Sequence, residues 1–356
     1  MKSQGVVFAV NVREKLEKRE RDTLSEFACL SASSKGRMRS EEQCPLRPAF
    51  QHDRDRIVYS QAFRRLKHKT QVFLAPTGDH CRTRLTHTLE VSEIARTLAR
   101  AMDLNEDLVE AISLGHDLGH TPFGHAGETV LNELVPGGFS HYRQSLRVVD
   151  VLENGGNGLN LTYEVRDGIA RHSKGYGEVI PADSHGLPET AEGCLVRYAD
   201  IIAYLSHDLD DAIHSDVISE GDVPEECHQV MGRTHSRRIM TMVEGVISHT
   251  GPGPGSSEAK LIFSIDPCVG GAMQTLRHFL FHQVYRSPRV HNEYVKSRKI
   301  LTDLFRYFLE NREIIDEEGL GVTAGSSPVR QVCDFIASMS DRHAQNLYHR
   351  LFVPET

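Results

Sequence analysis

The stretch RLTHTLEVSEIARTLARAMDLNEDLVEAISLGHDLGHTPFGHAGE, Arg84–Glu128, decides how the chain is read. Within it Leu89, Ile94, Leu98 and Met102 recur at helical spacing, which predicts a helix over Thr88–Leu104. Asn105 then offers an N-cap for a second helix over Asp107–Leu118, with Glu106 and Asp107 where acids favour a helix start. Gly119 breaks that helix, and Pro122 and Gly124 predict irregular chain beyond it. His116, Asp117, His120 and His125 all fall in or beside this break.

The same periodicity continues outward. It predicts helices over Ile57–Phe73, Gln144–Leu152, Tyr163–Arg171, Leu195–Ile213, Gly271–Tyr285, Tyr294–Glu310 and Val329–Leu351. Alternating strand patterns are nearly absent, so the expected fold class is all-α. Glycine-rich or Gly/Pro-containing breaks fall at Asn154–Asn160, Lys174–Thr190, Thr250–Ala259 and around 315–328. Residues 1–50 read as an N-terminal arm and loop. Residues 51–215 form a core dense in candidate chemistry, and 216–356 a C-terminal helical lobe not expected to fold independently.

Composition bounds the function. With 39% hydrophobic residues in 356, the chain can bury a sizeable core, and wholesale disorder is excluded. No run approaches the roughly 18 apolar residues of a membrane helix, and the short apolar stretch Val6–Val10 makes a poor signal peptide. Seven cysteines without a C-x-x-C pair argue against a disulfide framework or a cysteine zinc site and for a reduced, cytoplasmic protein. A net charge of −8 disfavours a dedicated nucleic-acid binder. The segment Phe50–Gln71 reverses that sign, with Arg54, Arg56, Arg64, Arg65, Lys67 and Lys69 against Asp53 and Asp55. It reads either as a solvated helix face or as an anion site.

His116–Asp117 at a helix end is by itself an ordinary surface or capping pair, and His207–Asp208 shows that such dipeptides recur in this chain. His116 and His120 are spaced like a metalloprotease zinc pair, but Asp117 stands where the glutamate should be and Gly119 interrupts the helix. The sum is more telling than either pair. His87 opens one helix, His116–Asp117 closes the next, and Asp200 lies in the apolar run RYADIIAYLSHDLDDAI, where Asp200, Tyr204 and Asp208 share one face. Two imidazoles and two carboxylates would neutralise a divalent ion such as Mn, Fe, Co, Zn, Ni or Mg and leave room for a substrate oxygen.

The blocks EFACLSASSKGR, FQHDRDRIVYSQAFRRLKHKTQVF, RTRLTHTLEVSEIARTLA, GHDLGHTPFGHAGE, LTYEVRDGIARHSKG and VRYADIIAYLSHDLDDAI together resemble the HD-domain superfamily of metal phosphohydrolases. Within it they resemble the bacterial deoxyguanosine triphosphate triphosphohydrolase-like proteins. The resemblance spans most of the chain and is least distinctive in the C-terminal hundred residues. It implies an HD-domain helical fold with additional C-terminal helices. It also implies a hydrolase that converts a dNTP and water to a deoxynucleoside and triphosphate, with one divalent metal as cofactor. The metal set becomes His87, His116, Asp117 and Asp200. His125 and Glu128 resemble the family's catalytic pair, with Glu128 orienting His125. His120 and His141 match histidines that approach the α-phosphate. Arg84 matches a phosphate-binding arginine, with Arg54, Arg56, Arg64, Lys67 and Lys174 as further candidates for the triphosphate. Gln71 and Val72 align with a pair lining the sugar edge, and Tyr204 and Asp208 with residues that close over the deoxyribose and hold its 3′-hydroxyl. The resemblance further implies homo-oligomers, hexamers among them, and in some members a second nucleotide as effector. The competing readings are another HD-type phosphohydrolase, such as a 5′-nucleotidase or phosphodiesterase, and a non-catalytic protein that binds dNTPs or single-stranded nucleic acid.

Overall fold

A computed structural model describes residues 12–72, 82–173, 186–253, 260–317 and 326–354. The fold is all-α. In chain order the helices are α1 (Val12–Thr23), α2 (Ala49–Tyr59), α3 (Gln61–Arg65), α4 (Arg84–Ala101), α5 (Glu106–Gly115), α6 (Gly124–Leu134), α7 (His141–Arg147), α8 (Glu153–Gly156) and α9 (Tyr163–Arg171). There follow α10 (Ala191–His214), α11 (Glu225–Met231), α12 (His235–His249), α13 (Pro267–Phe279), α14 (Pro288–Glu310), α15 (Glu313–Glu317), α16 (Pro328–Ser338) and α17 (Asp341–Phe352). The one sheet among the described residues is a short antiparallel pair, Gly251–Pro252 with Leu261–Ile262.

Helix α10 is the spine. It is buried along most of its length, and α4, α5, α9 and α12 pack around it. Phe50, Ile57, Leu98, Leu108, Ile112, Leu195, Ile202, Met242 and Met273 belong to the main apolar core. A second core joins Phe123, Leu131 and Phe139 to Leu301, Phe305, Phe308, Phe335 and Leu347. Helices α11–α13 therefore pack with the first core, while the last helices share a core with α6, which directly follows the histidine-rich loop.

Asn105 caps α5 as its side chain predicts, accepting from Asp107 N and Leu108 N at 3.1 and 3.2 Å. Elsewhere the elements depart from the periodic reading. The helix expected over Ile57–Phe73 is broken at Ser60, whose extended backbone (ψ 154°) starts α3. The Ser60 hydroxyl accepts from Phe63 N, and Glu153 accepts from Gln61 N and Ala62 N at 3.0 and 2.8 Å, so side chains replace the helical partners. Val329–Leu351 is likewise two helices, separated at the extended Met339 and restarted by the Ser340 cap. Gly124 is not in irregular chain; it opens α6, behind a left-handed Phe123 (φ 64°). The expected helices ending at Leu152 and Tyr285 finish in π-helical turns. Of the breaks, 174–185, 254–259 and 318–325 lie outside the described residues.

Candidate metal centre and adjoining pocket

Three helices deliver the chemistry to one point. The first turn of α4, held by the reciprocal Thr83–Thr86 capping box, buries both Arg84 and His87. The C-terminal end of α5 supplies His116 and Asp117, and the inward face of α10 supplies Asp200. His87 Nε2 lies 3.3 Å from Asp200 Oδ1 and 3.7 Å from Asp117 Oδ2. His116 Nε2 lies 3.3 Å from Asp117 Oδ1 and 3.9 Å from Asp200 Oδ1. The other nitrogen of His116 meets the Ser113 carbonyl at 2.6 Å, which leaves Nε2 aimed inward and, among the described residues, buried without a hydrogen-bond partner. A buried imidazole nitrogen with no partner, fixed from behind by a carbonyl and faced by carboxylates, fits a divalent cation.

Burial acts to raise the Asp117 carboxyl, but His116, His120 and Arg84 outweigh it and hold it well below the ordinary carboxylate range. Asp200 is held low in the same way against burial, by His87 and His116. Both are ionised at neutral pH, the state a hard or borderline cation requires.

Around this quartet lies a shell of further histidines. His120 Nε2 is 3.1 Å from Asp117 Oδ1, and its ring stacks on His141 with centroids 4.1 Å apart. Glu128, expected to orient His125, instead grips His141. Both carboxylate oxygens lie 3.0 Å from His141 Nδ1, and Oε1 accepts from the His141 backbone N–H at 2.8 Å. The reason is placement: His125 and Glu128 share the first turn of α6, whereas Ser140 presents the start of α7 directly to Glu128. His125 is exposed and lines the neighbouring pocket.

That pocket is a cavity of about 320 Å³, lined by Gln71, Val72, Phe123 and His125 on one side and Phe281, Tyr285, Arg286 and Tyr294 on the other. Arg84 stands between quartet and pocket, 1% exposed, with Nη1 2.8 Å from Asp117 Oδ2. Its Nε and Nη2 are buried without partners among the described residues, so the guanidinium keeps donors for an anion. Tyr204 is half-buried on the α10 face between Asp200 and Asp208. Asp208, which the resemblance aligns with a sugar-binding carboxylate, has Oδ2 accepting from Tyr285 Oη at 2.5 Å, while Oδ1 lies 2.8 Å from His207 Nδ1 without a hydrogen-bond partner among the described residues.

The basic segment is not gathered here. Arg54 pairs with Asp55 and Glu110, and Arg56 with Glu41 and the carbonyls of Leu159 and Asn160. Arg64 and Lys67 face solvent, while Lys69 is buried and donates to the carbonyls of His120 and Ala337. Lys174 lies outside the described residues.

Sequence reasoning missed His172, His207 and Tyr285. His172 Nδ1 meets the Ile169 carbonyl at 2.8 Å and its Nε2 lies 3.2 Å from His141 Nε2. It sits one residue past α9, a position whose only signal was one more histidine in a histidine-rich chain. Tyr285 comes from a part of the chain that showed no chemistry, and His207 from a dipeptide that looked incidental.

A family model described as an HD domain matches residues 84–205, which carry all four side chains of the quartet. A second, described as a phosphohydrolase-associated domain, matches residues 264–350. A deoxyguanosinetriphosphate triphosphohydrolase-like protein of Desulfatibacillum aliphaticivorans is 57% identical over 351 residues, covering 97% of this chain and 99% of the relative. Proteins of the same description from Caldanaerobacter subterraneus subsp. tengcongensis (49% over 345 residues, 97% of each chain) and Clostridium perfringens (42% over 354 residues, 97% of this chain and 99% of the relative) are also similar. The chain belongs to the deoxyguanosinetriphosphate triphosphohydrolase-like family. It is thus an HD-domain member of the phosphohydrolases, and no helix among its described residues is long and apolar enough to cross a membrane.

Proposed function

We propose that the protein is a metal-dependent dNTP triphosphohydrolase that releases deoxynucleoside and intact triphosphate. The observation that carries this reading is the quartet of buried His87, His116 and Asp117 with partly exposed Asp200, set against Arg84, whose guanidinium retains unpaired donors among the described residues. The family name of the relatives supports the same substrate class.

The quartet would hold one divalent ion, which supplies Lewis-acid polarisation of an α-phosphate oxygen. Two carboxylates cancel a 2+ charge, so the charge of the triphosphate must be met by the chain, and Arg84 is the buried cation placed to do so. His120 and His141 stack beside Asp117, where they would approach the α-phosphate, and Glu128 orients His141. His125, at the pocket edge, is positioned to exchange a proton with solvent or with the leaving 5′-oxygen. Gln71 and Val72 line the pocket, and with Tyr204 they would press on the sugar of a bound dNTP and leave no room for a 2′-oxygen. Aromatic walls from Phe281, Tyr285 and Tyr294 suit a stacked base.

The test is a panel of dNTPs and NTPs with chromatographic product identification, run after chelation and after return of Mg, Mn or Co. Triphosphate and deoxynucleoside should appear only with metal, and Asp117→Ala should abolish both metal binding and turnover. Release of orthophosphate would instead mark a 5′-nucleotidase-type reaction, and normal turnover by Asp117→Ala would end the metal reading.

A further inference from the structure

His207 is fully buried on α10, directly behind His87, and takes no part in the chemistry described so far. Its Nε2 lies 2.8 Å from His87 Nδ1, and its Nδ1 lies 2.8 Å from Asp208 Oδ1, an electrostatic contact outside hydrogen-bond alignment. Asp208 Oδ2 in turn accepts from the Tyr285 hydroxyl at 2.5 Å. Tyr285, Asp208 and His207 thus run in series from the pocket wall to His87, a candidate metal ligand.

The direction of the protons along this series follows from valence. A carboxylate only accepts, and burial of Asp208 is outweighed by His207 and Tyr285, which keep it ionised. A lone pair on the His207 nitrogen 2.8 Å from that carboxylate would be repelled, so Nδ1 is the protonated one. An imidazole with its one N–H at Nδ1 presents a lone pair at Nε2, which accepts from His87 Nδ1–H. A cation held between the carboxylates would then meet the His87 lone pair at Nε2, the atom 3.3 Å from Asp200 and 3.7 Å from Asp117. His116 reaches the same tautomer through a backbone carbonyl; His87 reaches it through a side chain.

We infer that His207, backed by Asp208 and Tyr285, is the positioning residue that fixes His87 as an Nε2 donor to the divalent cation. The inference rests on the metal reading proposed above and assigns a role that packing alone would not require. Partners one shell out from a metal are typically worth ~10–100-fold in affinity.

The test is Mn²⁺ binding to the full, metal-stripped chain, followed by electron paramagnetic resonance without nucleotide. His207→Phe keeps the buried ring but accepts nothing from His87, and should weaken Mn²⁺ binding about 10–100-fold. His207→Gln, whose amide oxygen can accept from His87 Nδ1–H, should recover most of that loss. Wild-type affinity in a folded His207→Phe protein overturns the inference, whereas failure of the wild-type chain to bind Mn²⁺ overturns the metal reading itself. A measurement on the unaltered protein guards against a variant that fails to fold: nitrogen-15 NMR of the chain loaded with diamagnetic Zn²⁺ should find the His87 proton at Nδ1, and a proton at Nε2 overturns the inference.

Discussion

Glu128 turns both oxygens and its backbone-directed lone pair toward a single residue, His141. Burial opposes a charged imidazole there, yet the carboxylate more than offsets it and holds His141 above its ordinary value. His172 makes the opposite case. Burial, with His116 and His141 nearby, pushes it down to about 3, so it stays neutral and can accept a proton-bearing nitrogen of His141 at 3.2 Å. Because the folded value of His141 is raised, the Glu128–His141 ion pair is complete below the ordinary imidazole range of ~6.5 and is lost as pH rises through the folded value. Glu128→Gln should therefore lower the titration midpoint of His141 in a proton NMR titration and cut dNTP turnover by roughly 10–100-fold. An unmoved midpoint would show that Glu128 does not set the state of this ring.

At the scale of elements, the loop after α5 is seated on α7 by one glycine. Gly119 N donates to Ser145 Oγ at 2.9 Å, and Ser145 Oγ donates to the His116 carbonyl at 2.6 Å. A Cβ on Gly119 would meet Ser145 N at 2.1 Å, Gln144 C at 2.4 Å and the His141 carbonyl at 2.5 Å, all backbone atoms that cannot swing aside. Gly119→Ala must push α7, with His141, away from the loop that carries Asp117. Urea unfolding should show a loss of about 1–3 kcal/mol, together with weaker Mn²⁺ binding; unchanged values of both would mean the loop and α7 are not coupled. This contact also marks where the sequence stops being legible. Gly119 read as the helix breaker, whereas α5 already ends at Gly115 and Gly119 closes the turn that follows; its contact with α7 depends on chain folded back from beyond residue 140. The Asp200–Tyr204–Asp208 face was legible for the converse reason, since helical spacing alone aligns it. The break at Ser60 was not, because the carboxylate that caps α3 belongs to Glu153. Glu128 was placed in the candidate site by the resemblance but given the wrong partner, since only the fold sets α7 rather than the rest of α6 against it.

For the whole molecule, the C-terminal helices read as a lobe without chemistry, and the packing gives them a different part. Asp341, at the start of α17, accepts from Phe123 N at 2.9 Å and from Thr70 N at 3.0 Å, and from the Thr70 hydroxyl as well. Phe123 is held in a left-handed conformation, which costs roughly 1–3 kcal/mol for a residue with a side chain and persists only when neighbours enforce it. One nearly buried carboxylate from the far end of the chain thus pins two segments of one pocket wall, Thr70–Gln71 and Phe123–His125. The second core, shared between α6 and the last helices, makes that grip cooperative with folding, and we propose that residues beyond 285 do not form an independent unit. Asp341→Ala removes three hydrogen bonds to a charged acceptor and should cost about 2–4 kcal/mol in urea unfolding, allowing for partial replacement by water. It leaves His87, His116, Asp117 and Asp200 on their own helices, so Mn²⁺ binding should change little while KM for dNTP rises. Loss of Mn²⁺ affinity in step with turnover would place Asp341 in support of the metal quartet instead of the pocket walls.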